Sequence, residues 1–153
     1  EQSATWTGAI SSADLNTGTL SACGISTQEY INYTVNGTNY SLISPADSIT
    51  YYYQPGSAYA YFNGANNANE YINFNMDYTN LGVDSVRQII FLTSSQMGNS
   101  TTVTIPTPIY ATITEYGAIG QYLAGNFSGT VLAGPPPSTT YNVTVSFRVR
   151  RMY

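Results

Sequence analysis

The chain has no histidine and no lysine, and a single cysteine. Without histidine it lacks the commonest general base and the commonest metal ligand, which excludes Ser–His–Asp and Cys–His sites. The same lack leaves zinc or copper without a ligand set. Without lysine there is no Schiff-base nucleophile and no Lys–Asn or Lys–Asp crosslink. Charge of either sign is scarce: eight acids and four arginines make up 8% of 153 residues, for a net charge of −4. Globular domains usually carry ~25%. A nucleic-acid binder needs a basic face, so that partner class is excluded. No run of about 18 apolar residues exists, so no segment reads as a transmembrane helix. Cys23 has no partner for an internal disulfide. It reads either as a buried, inert thiol or as one end of an intermolecular bridge. Gly117-Ala118-Ile119-Gly120 lacks both the spacing and the following helix of a phosphate-cradling loop.

What is present is 42% apolar residues, too many for a disordered chain, and 15 tyrosines among abundant Thr, Ser and Asn. Thr and Tyr suit half-buried pleated strands, while Asn, Ser and Gly suit the turns between them. Leu and Glu are few. The length suits one domain over residues 1–153, and no repeat of 20–50 residues is visible. The chain begins at Glu1 without a hydrophobic leader, which reads as a processed mature chain or a shortened one. The low-charge, lysine-free composition points to an exported protein, extracellular or on the cell surface. Six Asn-x-Ser/Thr sequons occur, at Asn32, Asn36, Asn39, Asn99, Asn126 and Asn142. They become glycosylation sites only in a host that modifies asparagine; otherwise they follow from an Asn- and Thr-rich composition.

Period-two alternation marks the strands. Residues 3–10 place Ala4, Trp6, Gly8 and Ile10 on one face. Residues 29–35 and 38–43 flank Asn36-Gly37, the strongest short signal for a type I′ hairpin. Residues 49–53 end at Pro55-Gly56, and residues 58–62 are expected to stop at Asn63-Gly64. Residues 70–78 alternate again. The run Ile89-Ile90-Phe91-Leu92 reads as a strand buried on both faces or as a short helical turn. Residues 101–105 form a short strand before Pro106 and Pro108. Residues 109–114 and 122–132 are strands, and Gly125 and Gly129 share the apolar side of the latter, where a large neighbour can cross them. In the last strand Tyr141, Val143, Val145, Phe147 and Val149 face one way, and Asn142, Thr144, Ser146, Arg148 and Arg150 the other. Nine to eleven short strands at this spacing predict an antiparallel β-sandwich, immunoglobulin-like or jelly-roll-like.

Three stretches carry a family resemblance. They are Tyr33-Thr34-Val35-Asn36-Gly37-Thr38-Asn39-Tyr40-Ser41, residues 111–131 (ATITEYGAIGQYLAGNFSGTV) and Val145-Ser146-Phe147-Arg148-Val149-Arg150-Arg151. Their VNGT-x-Y hairpin, T-x-YG-x-x-G-x-Y-x-x-G-x-F-SG hairpin and closing F-x-V-x-R strand resemble a β-sandwich module of secreted proteins and lipoproteins of Bacteroidota. The resemblance spans about residues 29–151 and leaves residues 1–28 outside it. Its motifs are turns, glycines and core aromatics. It therefore implies a β fold and export, and it transfers no catalytic residue.

The eight acids, Glu1, Asp14, Glu29, Asp47, Glu70, Asp77, Asp84 and Glu115, are scattered singly. A paired-carboxylate site would need two of them to converge, and the expectation is that this is not an enzyme. Calcium would need clustered oxygen ligands, for which Asn66, Asn67, Asn69, Glu70 and the 77–84 loop are the candidates. No cofactor or metal is expected. Arg148, Arg150 and Arg151 form a small basic patch, solvated, paired with acids of a neighbouring strand, or in contact with another subunit. Tyr51, Tyr52, Tyr53, Tyr59 and Tyr61 make an aromatic-rich middle. It reads either as cross-strand pairs that stabilise a sheet or as an interface for a partner or a glycan. Residues 1–12 form an arm that is either an ordinary first strand or an exchangeable one, with Ala4, Trp6 and Ile10 seated in a neighbour's groove. The leading expectation is a structural subunit of an extracellular filament or surface matrix, a homopolymer built by strand addition. The alternative is a carbohydrate-binding or adhesin module at the cell surface. A lipoprotein domain of unknown ligand is a third.

Overall fold

Alternating apolar and polar residues build strands whose two faces meet different media, and here the apolar faces close on one another. The computed structural model describes residues 28–53, 58–77, 81–92, 101–133 and 138–152. The strand-like segment 3–10, with Ala4, Trp6 and Ile10, lies outside them, as do Cys23 and Asn99. Ten strands are formed: β1 (Tyr30–Val35), β2 (Thr38–Ile43), β3 (Ser48–Tyr53), β4 (Tyr59–Ala65), β5 (Tyr71–Asp77), β6 (Gly82–Leu92), β7 (Thr101–Thr102), β8 (Ile109–Tyr116), β9 (Tyr122–Ala133) and β10 (Thr139–Arg150). No helix occurs among the described residues.

Every pairing is antiparallel, in the order β2-β1-β10-β9-β8-β6-β5-β4-β3, with β7 on β6. The path is one continuous sheet rather than two separately bonded ones. It curls until it nearly closes into a barrel-like shape. Phe62 on β4 lies 4.9 Å from Phe147 on β10, and Phe74 on β5 lies 5.2 Å from Phe127 on β9. Strands far apart in the order thus share one aromatic core, which Ile31, Leu42, Ile72, Ile89, Val131 and Val145 complete with no exposure at all. Gly129 and Gly125 show why the curl can be tight. A Cβ on Gly129 would stand 2.4 Å from Ile109, and one on Gly125 would stand 3.0 Å from Phe147 Cζ. The β1–β2 hairpin turns at Asn36-Gly37, both at positive φ (49° and 82°), as a type I′ turn requires.

Two expectations change. Asn63-Gly64 does not end a strand; β4 runs through it to Ala65. Gly64 faces inward, where a Cβ would lie 2.5 Å from Leu42 Cδ1, so its smallness admits β2 rather than a turn. The turn comes at Asn66–Glu70, where Asn66 Oδ1 accepts from the Ala68 and Glu70 N–H groups, each at 3.0 Å. Ile89-Ile90-Phe91-Leu92 is strand and not helix. Ile89 and Phe91 are buried, and Ile90 is only half-buried.

Two bulges re-aim side chains. Val86 pairs Met76 and Gln88 pairs Asn75, so Arg87 is an extra residue on β6. The inward set of β6 accordingly passes from Asp84 and Val86 to Ile89 and Phe91. Thr114 is extra in the same way on β8, because Ile113 pairs Gly125 while Glu115 pairs Ala124.

Candidate functional site

The curl leaves its last gap between the end strands. β2 pairs only β1, and β3 pairs only β4, among the described residues. The chain passes from β2 to β3 through a short corner. The Ile43 N–H donates to Asp47 Oδ2 at 2.7 Å, and the Asp47 N–H donates back to the Ile43 carbonyl at 3.0 Å. Beyond this corner β3 runs past the start of β1 and the end of β10. A cleft of about 300 Å³ opens there, lined by Glu29, Ile49, Thr50, Tyr51, Tyr52, Arg150 and Met152. Its walls are mainly apolar. Tyr52 is 46% exposed and Met152 56% exposed. The charges at the rim are engaged. The Glu29 carboxylate accepts from the Arg150 backbone N–H. The Arg150 guanidinium turns to Tyr122, 3.4 Å from its hydroxyl. Beside the other end strand, β2, lies a depression of about 270 Å³ lined by Asn32, Thr34, Asn39, Ser41, Thr144 and Ser146 around Tyr33 and Tyr40. Tyr33 and Tyr40 stack at 4.9 Å inside the barrel. Burial pushes the Tyr33 hydroxyl far above the ordinary phenol range, with the charges of Glu70 and Tyr40 adding to it.

The tyrosines of the middle divide by strand parity. Tyr51 points inward, edge-on to Phe62 at 5.3 Å, and Tyr53 packs on the core. Tyr52 and Tyr61 pair on the outer face, ring centroids 6.0 Å apart, and Tyr59 is exposed beside them. The outer face continues across β5 and β6 as a set of amides. Tyr61 pairs Asn75, which is buried and donates to Gln88 Oε1 at 3.2 Å, and half-buried Asn73 donates to Asn63 Oδ1. Tyr52, Tyr61, Asn75 and Gln88 therefore form one cross-strand row.

Within the arginine patch Arg148 is paired with an acid, and Arg150 stays exposed. Arg148 and Glu115 flank Ala124 in a row across β10, β9 and β8, placed there by the Thr114 bulge. The guanidinium donates to both Glu115 oxygens, at 2.8 and 3.2 Å, and to the Gln28 carbonyl at 3.4 Å. It also lies 3.5 Å from the centroid of Tyr122. Arg151 covers Tyr116 at 4.4 Å and donates to the Gly117 carbonyl at 2.8 Å. Sequence reading saw the arginines but not Glu115 as their partner, because the extra residue at Thr114 cannot be read from alternation.

The remaining acids do not gather. Asp77 holds Arg87 through two bonds of 2.8 and 2.7 Å. Asp84 is turned inward by its strand, and burial raises its carboxyl above the usual range, with the charge of Asp77 adding to it. Glu70 is held by Asn66 Nδ2 at 2.6 Å. Among the described residues no three His, Cys, Asp or Glu side chains come together as a metal site. The sequon residues Asn32, Asn36, Asn39, Asn126 and Asn142 are all exposed. Asn32 accepts from Ser41, Asn142 accepts from Thr130, and Asn36 is tied to the Asn142 backbone.

No protein-family model matches the chain, and neither a curated protein nor a solved structure is similar to it. The chemistry of its own surface is therefore the ground for a functional reading.

Proposed function

We propose that the chain is a non-catalytic structural subunit of an extracellular filament or surface matrix. Its copies associate by β-strand addition, with residues 1–12 as the exchangeable strand. One observation carries this reading: among the described residues the sheet nearly closes without joining its end strands β2 and β3, and β3 flanks a mainly apolar cleft. A strand edge presents unpaired N–H and C=O groups in a row, ready to take another strand. The low charge of the chain, 8%, suits surfaces that become buried between copies. The resemblance to an exported Bacteroidota module supports an extracellular setting. Light scattering and negative-stain microscopy over a concentration series test the reading. Filaments or an oligomer ladder that vanish when residues 1–10 are deleted are expected; a clean monomer at high concentration overturns it.

A glycan-binding role at the cell surface is the second reading. The outward Tyr52–Tyr61 pair beside the half-buried amides of Asn63, Asn73 and Gln88 favours it, since sugars offer apolar faces to rings and hydroxyls to amides. A glycan array compared between the intact chain and Tyr52→Ala tests it; retention lost in the variant supports it.

A further inference from the structure

We infer that the outer face of β2, β1, β10 and β9 is an asparagine-glycosylated face, carrying sugar on Asn32, Asn36, Asn39, Asn126 and Asn142. The modification goes beyond the self-association reading and does not depend on it. It also differs from glycan binding, since the sugar is covalently part of the chain.

Two regions of the sheet treat asparagine differently. On β1, β2, β9, β10 and the β1–β2 turn, every Asn stands two residues before a Ser or Thr. Of the six Asn from Asn63 to Asn75, on and between β4 and β5, none does. Ser and Thr make up 36 of the 153 residues, so random placement would put a hydroxyl there for about a quarter of the Asn. Composition alone therefore does not account for five out of five.

The fold turns these sequons into outward acceptors. Residues i and i+2 of a strand share a face. Asn32 and Thr34, Asn39 and Ser41, Asn126 and Ser128, and Asn142 and Thr144 thus stand together on the outside. The residues between them, Tyr33, Tyr40, Phe127 and Val143, are buried. All five Asn are exposed, so a sugar added to the extended chain need not enter the core on folding. Pairing sets Asn32, Ser146 and Asn126 in one cross-strand row, and Asn39, Thr34, Thr144 and Ser128 in the next. These rows hold neither a charge nor a ring, in contrast to the tyrosines outside β3 and β4.

The amides point the same way. An asparagine-linked sugar is carried on Nδ2, which must be left open. Asn36 Oδ1 accepts from the Asn142 backbone N–H at 2.8 Å, which assigns the oxygen to that bond and leaves Nδ2 out of it. Asn32 Oδ1 accepts from Ser41, and Asn142 Oδ1 accepts from Thr130. None of the five Nδ2 groups donates to a described residue. Around β4 and β5 the amide nitrogens are engaged instead: Asn66 donates to Glu70, Asn73 to Asn63 and Asn75 to Gln88.

The co-reactant is an oligosaccharide on a polyprenyl phosphate or diphosphate, presented by a membrane oligosaccharyltransferase of the host. Asn Nδ2 attacks the anomeric carbon, and the C1–N bond forms. The C1–O bond to phosphate breaks, the lipid phosphate leaves with the electron pair, and the amide proton passes to a base of the transferase.

Peptide mapping by mass spectrometry tests this on the full chain, isolated from the cells that produce it. Sugar is expected on most of the five Asn and on none of Asn63, Asn73 and Asn75. Thr34→Ala, Ser128→Ala and Thr144→Ala, made in the same cells, each remove a sequon hydroxyl and leave its Asn in place. Each is expected to lose the sugar at that Asn alone, whereas Thr34→Ser and Thr144→Ser keep it. Sugar on two or fewer of the five, or on Ser and Thr hydroxyls instead, overturns the inference. Sugar retained on Asn32 in Thr34→Ala and on Asn142 in Thr144→Ala overturns it too, because attachment would then ignore the sequon. Light scattering decides self-association separately: a glycosylated protein that stays monomeric keeps this inference and removes that reading.

Discussion

The half of the barrel made by β8, β9 and β10 and the half made by β3, β4 and β5 use their outer faces in opposite ways. The first has strands of 8, 12 and 12 residues, and its outside is clamped. Arg148 is tied to Glu115 and lies on Tyr122, and Arg151 lies on Tyr116. The second has strands of 6, 7 and 7 residues and ends at β3, which pairs only β4 among the described residues. Its outside presents Tyr52, Tyr59 and Tyr61 beside amides. Inside, the halves are alike, since both contribute phenylalanines to one core. The longer strands thus carry the clamped arginines on their outer face, and the shorter ones carry the more exposed tyrosines.

That contrast can be broken first at the point where the halves meet. Phe147 is fully buried and lies 4.9 Å from Phe62 and 5.3 Å from Phe74. Phe147→Ala is expected to cost about 3–5 kcal/mol in urea denaturation, through lost burial and a cavity. A loss below about 1 kcal/mol would show that the halves do not share a core. Next comes the clamp. Arg148→Ala is expected to cost about 2 kcal/mol, because a desolvated stack and charge-assisted bonds go together. Arg87→Ala, which breaks the exposed pair with Asp77, should leave the urea midpoint unmoved. Equal effects of the two would erase the difference between the outer faces.

Asp84 gives a pH-dependent probe. Its folded carboxyl keeps its proton to higher pH than the unfolded one. The folded state therefore binds more protons in the interval between the two values, and stability falls as pH rises through it. Below that interval both states are protonated and no penalty exists. Asp84→Asn should match the parent protein at low pH and exceed it at neutral pH, read as urea midpoints across a pH series. The smallest effect is expected at Tyr33, whose hydroxyl is buried with no hydrogen-bond partner among the described residues. Tyr33→Phe should be neutral or stabilising by up to about 1 kcal/mol, since the removed group was desolvated without compensation. A clear loss of stability would mean that this hydroxyl is bonded in solution.

Much of the fold is legible along the chain because strand parity is a local property. The last strand shows it best: Val143, Val145, Phe147 and Val149 read as inward and are buried. Asn36-Gly37 reads as a tight turn and is one, because positive φ at two successive positions is a demand that few residues meet. Gly125 and Gly129 read as sites for a crossing neighbour, and Phe147 and Ile109 cross them. Asn63-Gly64 misleads for the same chemical reason, since a glycine that avoids a clash looks in sequence like one that makes a turn. The candidate site is less legible. The tyrosine run 51–53 shows aromatic density, but parity sends Tyr51 inward and Tyr52 outward, and the cleft also takes Glu29 and Arg150 from distant parts of the chain.

The sequence by itself determined the all-β class, most of the described strands and their apolar faces, because composition and alternation act over one to ten residues. The tertiary structure alone decided that one continuous sheet of the described strands curls nearly to closure and that a bulge sets Glu115 in one row with Ala124 and Arg148. It also decided that Glu29 and Arg150 meet Tyr52 and Met152 at one cleft beside β3. Each of these depends on which strands become neighbours, and that is settled by packing in three dimensions, where residues a hundred positions apart meet.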